Sequence, residues 1–190
     1  MLIRGRMSFL GSDGAAGGKG MRQMYDKVTQ KDIERMEEEI EHRKLVVRKE
    51  ALEAVKEARA QGDLSENFEY KAAKQFKNEN EKRIRYLERM IKTAVVISDQ
   101  SKSDEVGMNN KVTLYFEDDE EEEEYTIVTT VRANSLHRWI SNESPLGKAV
   151  LGHRVGDRVF VKVGENGGYY VEIRAIENTG DDGSIGLRKF

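Results

Sequence analysis

The sequence is constrained most by two stretches whose apolar residues recur at helical spacing, divided by a short break. Between Lys31 and Gln61 the repeating residues are Ile33, Met36, Ile40, Val47, Ala51, Ala54 and Ala58. At 100° per residue they fall within an arc of about 60°. After the break, Ala73, Phe76, Ile84, Leu87 and Ile91 form a second stripe. Stripes this narrow suit two helices zipped along one seam rather than helices buried in a globule. No proline interrupts either stretch, and so short a break makes the helices antiparallel neighbours. Each runs about 30 residues, so the hairpin is expected to extend roughly 45 Å. Lys44 and Asn80 interrupt the seams, as register-fixing polar residues can.

Beyond Thr93 the period changes. "AVVI" (94–97), "KVTLYF" (111–116), "EYTIVTT" (124–130), "DRVFVKV" (157–163) and "YYVEIRAI" (169–176) are rich in β-branched and aromatic residues. The acidic run from Asp118 to Glu124 is expected to join the second and third as a hairpin loop. One helix interrupts them in "SPLGKAVLG", with Ser144 suited to the N-cap, Pro145 to the first turn and Gly152 to the stop. The expected fold class is α+β: an N-terminal antiparallel coiled-coil hairpin, then a small β-sheet domain with one helix. The expected boundaries are a flexible head over 1–28, the arm over 29–93, the sheet domain over 94–177 and a loose tail over 178–190. Met21 or Met24 could serve as an alternative start.

Composition narrows the chemistry. Charged residues are 35 % and hydrophobic ones 37 % of the 190 residues, which is polar for a globule but normal with a long solvated coiled coil. There is no cysteine, which excludes disulfides and thiolate metal sites. The histidines, His42, His137 and His153, are scattered. No apolar run approaches the roughly 20 residues that span a bilayer, so no membrane partner and a cytoplasmic location are expected. The net charge of −3 hides an asymmetry: residues 21–97 carry 18 Lys+Arg against 16 Asp+Glu, whereas residues 98–190 carry 11 against 18.

The sharpest chemistry lies in the break itself, "ARAQGDLSENFEY" (58–70), where Asp63 and Glu66 stand three residues apart. One explanation is purely local: Gly62 ends the first helix, Asp63 caps the second and Glu66 completes a capping box. That explanation leaves the apolar Leu64 beside them without a reason. The other explanation is metal chemistry. Ionised carboxylates are hard ligands for Mg²⁺, but two cannot fill its six positions, so they would complete the shell of an ion half-held by another protein. On the second helix, Lys71, Lys74, Lys82, Arg85, Arg89 and Lys92 project into an arc of about 80° away from the seam. Such a stripe is either a solvated face or a track for nucleic-acid phosphates leading to the tip.

The stretch "EARAQGDLSENFEYKAAKQ" resembles the tip of the bacterial Gre transcript-cleavage factors (GreA and GreB). "ERMIKTAVVI" resembles that family's exit from the coiled coil, and "ISNESPLGKAVLGHRVGD" (140–157) its second signature. Two separate motifs in the right order, over about Thr29 to Glu177, make the resemblance specific. It implies a coiled-coil arm plus an FKBP-like antiparallel sheet domain that docks on RNA polymerase at its secondary channel. The tip acids, matched here to Asp63 and Glu66, would help hold a second Mg²⁺ jointly with the polymerase, with none bound alone. They would also activate water for cleavage of the nascent RNA 3′ end. Ser65 and Asn67 would support the tip, Glu143 and Pro145 would contact the polymerase, and the factor would act as a monomer. It would not be an enzyme itself but would stimulate the polymerase. Relatives that occupy the channel without promoting cleavage, an FKBP-like chaperone and a purely structural coiled coil are the other readings. The acidic run is longer than the family pattern, and the link "LVVRKEALEAV" lacks a proline expected there.

Overall fold

The computed structural model describes residues 26–60, 67–100, 102–165 and 167–188. The arm has the expected helical hairpin. Strand β1 (Lys27–Val28) leads into α1 (Gln30–His42), a five-residue π-helical turn (Arg43–Val47), α2 (Arg48–Ala60) and α3 (Phe68–Thr93). Thr29 starts α1 with a capping box: its hydroxyl accepts from the Asp32 N–H, and the Asp32 carboxylate accepts from the Thr29 N–H. The 26 residues of α3 make a rod of about 39 Å at 1.5 Å per residue.

The seam follows the expected stripe, with Met36, Ile40, Ala51, Ala58, Ile84 and Leu87 buried. Phe76 departs from it. It is 43 % exposed, because its angular position lies at the edge of the stripe rather than on its centre line. Lys44 is also outside the seam, exposed and paired with Glu88 at 2.6 Å. Asn80 is in the seam and buried. Its amide donates to the Arg43 carbonyl at 3.3 Å and accepts from the Arg43 guanidinium at 3.2 Å. That carbonyl opens the π-helical turn and also accepts from the Arg48 N–H, so the buried amide sits where the regular helical bonding is interrupted. Arg83 grips Glu39 with two bonds of 2.8 and 2.9 Å, and Arg48 grips Glu81 with two of 2.6 and 2.8 Å. Bidentate pairs of this kind fix both register and the antiparallel sense.

The second region holds a five-stranded sheet in the order β5-β4-β3-β7-β6. Its strands are β3 (Lys111–Phe116), β4 (Glu121–Val128), β5 (Trp139–Ser141), β6 (Arg158–Val163) and β7 (Gly167–Glu177). Helix α4 (Pro145–Val150) packs beside β6. Alternating residues Val112, Leu114, Val159, Val161, Val171 and Ile173 point into one core with Ile127 and Val150. Ser144 caps α4 as expected, accepting from the Gly147 N–H at 3.0 Å, and Gly152 takes the left-handed conformation just past its end (φ 79°).

Four expectations for this region need correction. The sheet is mixed rather than wholly antiparallel: β5 pairs parallel with β4, Thr126 opposite Trp139. This three-residue strand was not anticipated, being too short to show a period. The "AVVI" segment does not join the main sheet; Val95–Val96 (β2) pairs in parallel with β1 at the arm base. The acidic run is only partly a loop. Glu121 to Glu124 belong to β4, where Glu122, Glu123 and Glu124 face Arg174, Arg138 and Lys111. These cations offset the repulsion among the strand's carboxylates. Finally, the tail, expected to be loose, is tied down among its described residues. Asn178 bonds Asn110, the Thr179 hydroxyl donates to the Asn109 carbonyl at 2.5 Å, and the Arg188 N–H donates to the Val131 carbonyl at 2.7 Å.

The arm and the sheet domain share a second core. Val28, Met36, Ile40, Ile84, Leu87 and Met90 from the arm and its flanks pack with Val131 of the sheet domain, and Leu187 of the tail lies against them. Val28, within the expected flexible head, is fully buried. Beside this core lies an ionic cluster with Arg132 at 1 % exposure. Its guanidinium meets Asp32 at 2.8 Å, the Asn109 amide oxygen at 2.6 Å and Asp181 at 3.5 Å. Asp181 is also gripped by Arg35 with two bonds of 2.6 and 2.8 Å. Burial lowers the Arg132 pKa and the two aspartates work against that; hydrogen bonding to Arg35 holds Asp181 down at about 2.

Candidate functional site at the arm tip

Asp63, Ser65 and Glu66 lie outside the described residues, in the chain between Ala60 and Asn67. The helix ends on either side of them are well defined. Asn67 caps α3, its amide oxygen accepting from the Tyr70 N–H at 2.9 Å. Its amide nitrogen reaches across the hairpin to the Ala58 carbonyl at 3.0 Å. One side chain therefore ties the end of α2 to the start of α3. A second tie is Arg59, which lies over the Tyr70 ring at 5.6 Å and donates to its hydroxyl at 3.4 Å. That hydrogen bond lowers the Tyr70 pKa, and the charges of Arg59, Lys74 and Lys77 add to the effect.

These contacts correct the local explanation for the acidic pair. The cap of the second helix is Asn67, which takes the role the local explanation gave to Asp63. Both residue types cap well, and spacing alone could not choose between Asp63 and Asn67. With Asn67 supplying the cap, α3 does not need the two carboxylates for its start.

Lys71, Lys74, Lys82, Arg85, Arg89 and Lys92 are all exposed along α3. None makes an ion pair among the described residues; Lys71 lies over the Phe68 ring at 5.5 Å and Arg89 over the Tyr86 ring at 5.8 Å. A shallow groove lined by Lys71, Lys74, Gln75, Asn78, Glu79 and Lys82 follows the tip-proximal half of the stripe.

Glu143 and Pro145 lie far from the tip in the chain, where β5 runs into α4. The Glu143 carboxylate bonds Lys148 at 2.8 Å and Lys27 at 3.2 Å; the Lys148 bond above all holds it below its usual range, against partial burial. Pro145 is exposed at the first position of α4. The described candidate residues thus fall into two groups, one along the arm and one on the sheet domain. No cluster of three or more metal-ligating side chains occurs among the described residues, and no described helix is long and apolar enough to cross a membrane. Sequence reasoning missed Arg59 as a partner of Tyr70 and Phe68 as an exposed ring; only the three-dimensional clasp reveals the first.

Comparison with known proteins covers both halves of the chain. Residues 27–96 match the family model described as "Transcription elongation factor, N-terminal", and residues 100–178 match "Transcription elongation factor, GreA/GreB, C-term". The chain is 47 % identical over 137 residues to transcription elongation factor GreA of Thermoanaerobacter pseudethanolicus, covering 72 % of this chain and 87 % of that protein. It is 41 % identical over 155 residues to GreA of Acholeplasma laidlawii, covering 82 % and 98 %. A solved structure of GreA factor homolog 1 (Gfh1) of Thermus thermophilus is 30 % identical, with a TM-score of 0.38 and coverage of 81 % and 99 %. With both halves matched in order and close relatives spanning most of its length, the chain belongs to the GreA/GreB family of transcription elongation factors.

Proposed function

We propose that this elongation factor enters the secondary channel of RNA polymerase as a monomer and stimulates the polymerase to cleave backtracked transcripts near their 3′ ends. It is not an enzyme alone; the Mg²⁺-dependent hydrolysis belongs to the polymerase. The supporting observation is the clasped hairpin: α2 and α3 pair as a rod, Asn67 ties their ends together, and the chain that joins them contains Asp63 and Glu66. Because Asn67 supplies the α3 cap, the start of that helix does not call on either carboxylate.

The donor chemistry suits the role. Asp63 and Glu66 supply hard oxygens matched to Mg²⁺, and two such ligands complete a shared shell rather than make one. When bound, that ion supplies charge that stabilises the phosphoryl oxygens and makes water more acidic. The tip residues position and orient: Asp63 and Glu66 present their oxygens, and Asn67 keeps the two helix ends from splaying. Water then attacks the phosphorus, the P–O3′ bond breaks, and the retained RNA keeps a 3′ hydroxyl from which synthesis resumes. The cationic stripe follows the extruded RNA by its phosphates. Glu143 and Pro145 contact the polymerase from the sheet domain, and the cytoplasm is the setting.

The test is a stalled, backtracked elongation complex with labelled RNA. The wild-type chain should release short 3′ fragments at a rate well above that of polymerase alone. Asp63→Asn with Glu66→Gln should abolish the stimulation while polymerase binding persists. Full activity in that double variant would refute the metal role, and no stimulation by the wild type would favour a channel-binding regulator.

A further inference from the structure

Phe68 is 82 % exposed at the first position of α3, immediately after the Asn67 cap. At 100° per residue it lies about 130° from the centre of the seam, so helix pairing cannot use it. A lone exposed ring needs no explanation, but this one does not stand alone. Lys71, one turn on, holds its ammonium 5.5 Å over the ring, and Lys71 is the first cation of the stripe. The groove lined by Lys71, Lys74 and Lys82 continues from there. A cationic track ending in an open aromatic face is the combination that holds single-stranded nucleic acid, phosphates on the charges and a base on the ring.

We propose that Phe68 is a substrate-positioning contact: its ring stacks on an unpaired base of the backtracked RNA, while Lys71 and Lys74 hold the flanking phosphates. This rests on the cleavage reading above and deepens it. Stacking the base fixes where the chain lies relative to the acids two and five residues earlier, and so which phosphate is cut. The charge around the ring favours RNA over an apolar wall of the polymerase, which would not call for a cation over the same ring.

The experiment uses intact backtracked complexes whose RNA ends in a photoreactive 4-thiouridine. Crosslinking to the factor and the cleavage rate at saturating factor are read for Phe68→Ala, Phe68→Leu and Phe68→Trp. Alanine and leucine should each lower crosslinking and rate by about tenfold, tryptophan should preserve both, and polymerase affinity should not change. Leucine behaving like phenylalanine, alanine behaving like wild type, lost polymerase affinity, or no crosslink in the wild type would each overturn the stacking role. Asp63→Asn run in parallel separates the two ideas: it should stop cleavage yet leave the Phe68-dependent crosslink. A Phe68-dependent crosslink without any stimulated cleavage by the wild type would sink the cleavage reading alone.

Discussion

The buried ionic cluster at the arm base makes a quantitative prediction. Arg132→Met removes the guanidinium that faces Asp32 at 2.8 Å. Asp32, fully buried, keeps the Thr29 N–H at 3.1 Å and a long contact to Arg35 at 3.4 Å. Stripping one partner from a buried pair costs roughly 3–5 kcal/mol, and the surviving contacts place this case near about 3. Asp32→Asn leaves the Arg132 charge with Asp181 at 3.5 Å and the neutral oxygen of Asn109, so its cost is also about 3 kcal/mol. The double variant removes both charges together and should cost about 4 kcal/mol rather than about 6, a coupling of about 2 kcal/mol. Urea unfolding reads these values. Trp139, the only tryptophan, reports on the sheet domain, and far-ultraviolet circular dichroism reports mainly on the arm. Single costs below about 1 kcal/mol, or costs that add within about 0.5 kcal/mol, would refute the claim that the pair locks arm to domain.

Other perturbations follow the same contacts. Asn67→Ala removes both the α3 cap and the bridge to Ala58; it should cost about 1–2 kcal/mol in thermal unfolding and reduce stimulated cleavage more than polymerase binding. Asp181 has its pKa lowered to about 2 from 3.8. A depressed carboxyl contributes stability that is fully present above about pH 4 and is lost as pH falls toward about 2. Asp181→Asn should therefore be less stable at pH 7 and show a flatter acid limb in pH-dependent melts. Reversing Lys82, Arg85 and Arg89 to Glu should weaken action on long backtracked RNA and flatten its salt dependence, by about 2 in the log–log slope for three lost phosphate contacts. A change in thermal stability alone would mark the stripe as a solvated face.

Much of the fold was legible because it is written in local periods. The stripes of Met36, Ile40, Ala51, Ile84 and Leu87 dictate the hairpin, and alternation in "KVTLYF" and "RVFVKV" dictates strands. The cap chemistry of Ser144 and Gly152 fixes α4. What escaped depends on contacts distant in sequence. Nothing local marks Arg132 as a buried residue paired with an arm aspartate 100 positions away, or Asp181 as one of the residues that fasten the tail. The Glu121–Glu124 strand reads as a loop until its cations are in place, and β5 is too short to show alternation. At the tip, the motif singles out Asp63 and Glu66, which lie outside the described residues. The cap was not legible, because Asp63 and Asn67 suit the same role; Asn67 takes it by accepting from the Tyr70 N–H.

The most direct measurement is the Mg²⁺ dependence of transcript cleavage in a backtracked complex. The wild-type factor should lower the Mg²⁺ concentration for half-maximal cleavage by about tenfold, as added carboxylate ligands worth about 1.4 kcal/mol would. Asp63→Asn with Glu66→Gln should return it to the value for polymerase alone while the factor stays bound. The same Mg²⁺ dependence for wild type and double variant would contradict a metal-completing tip.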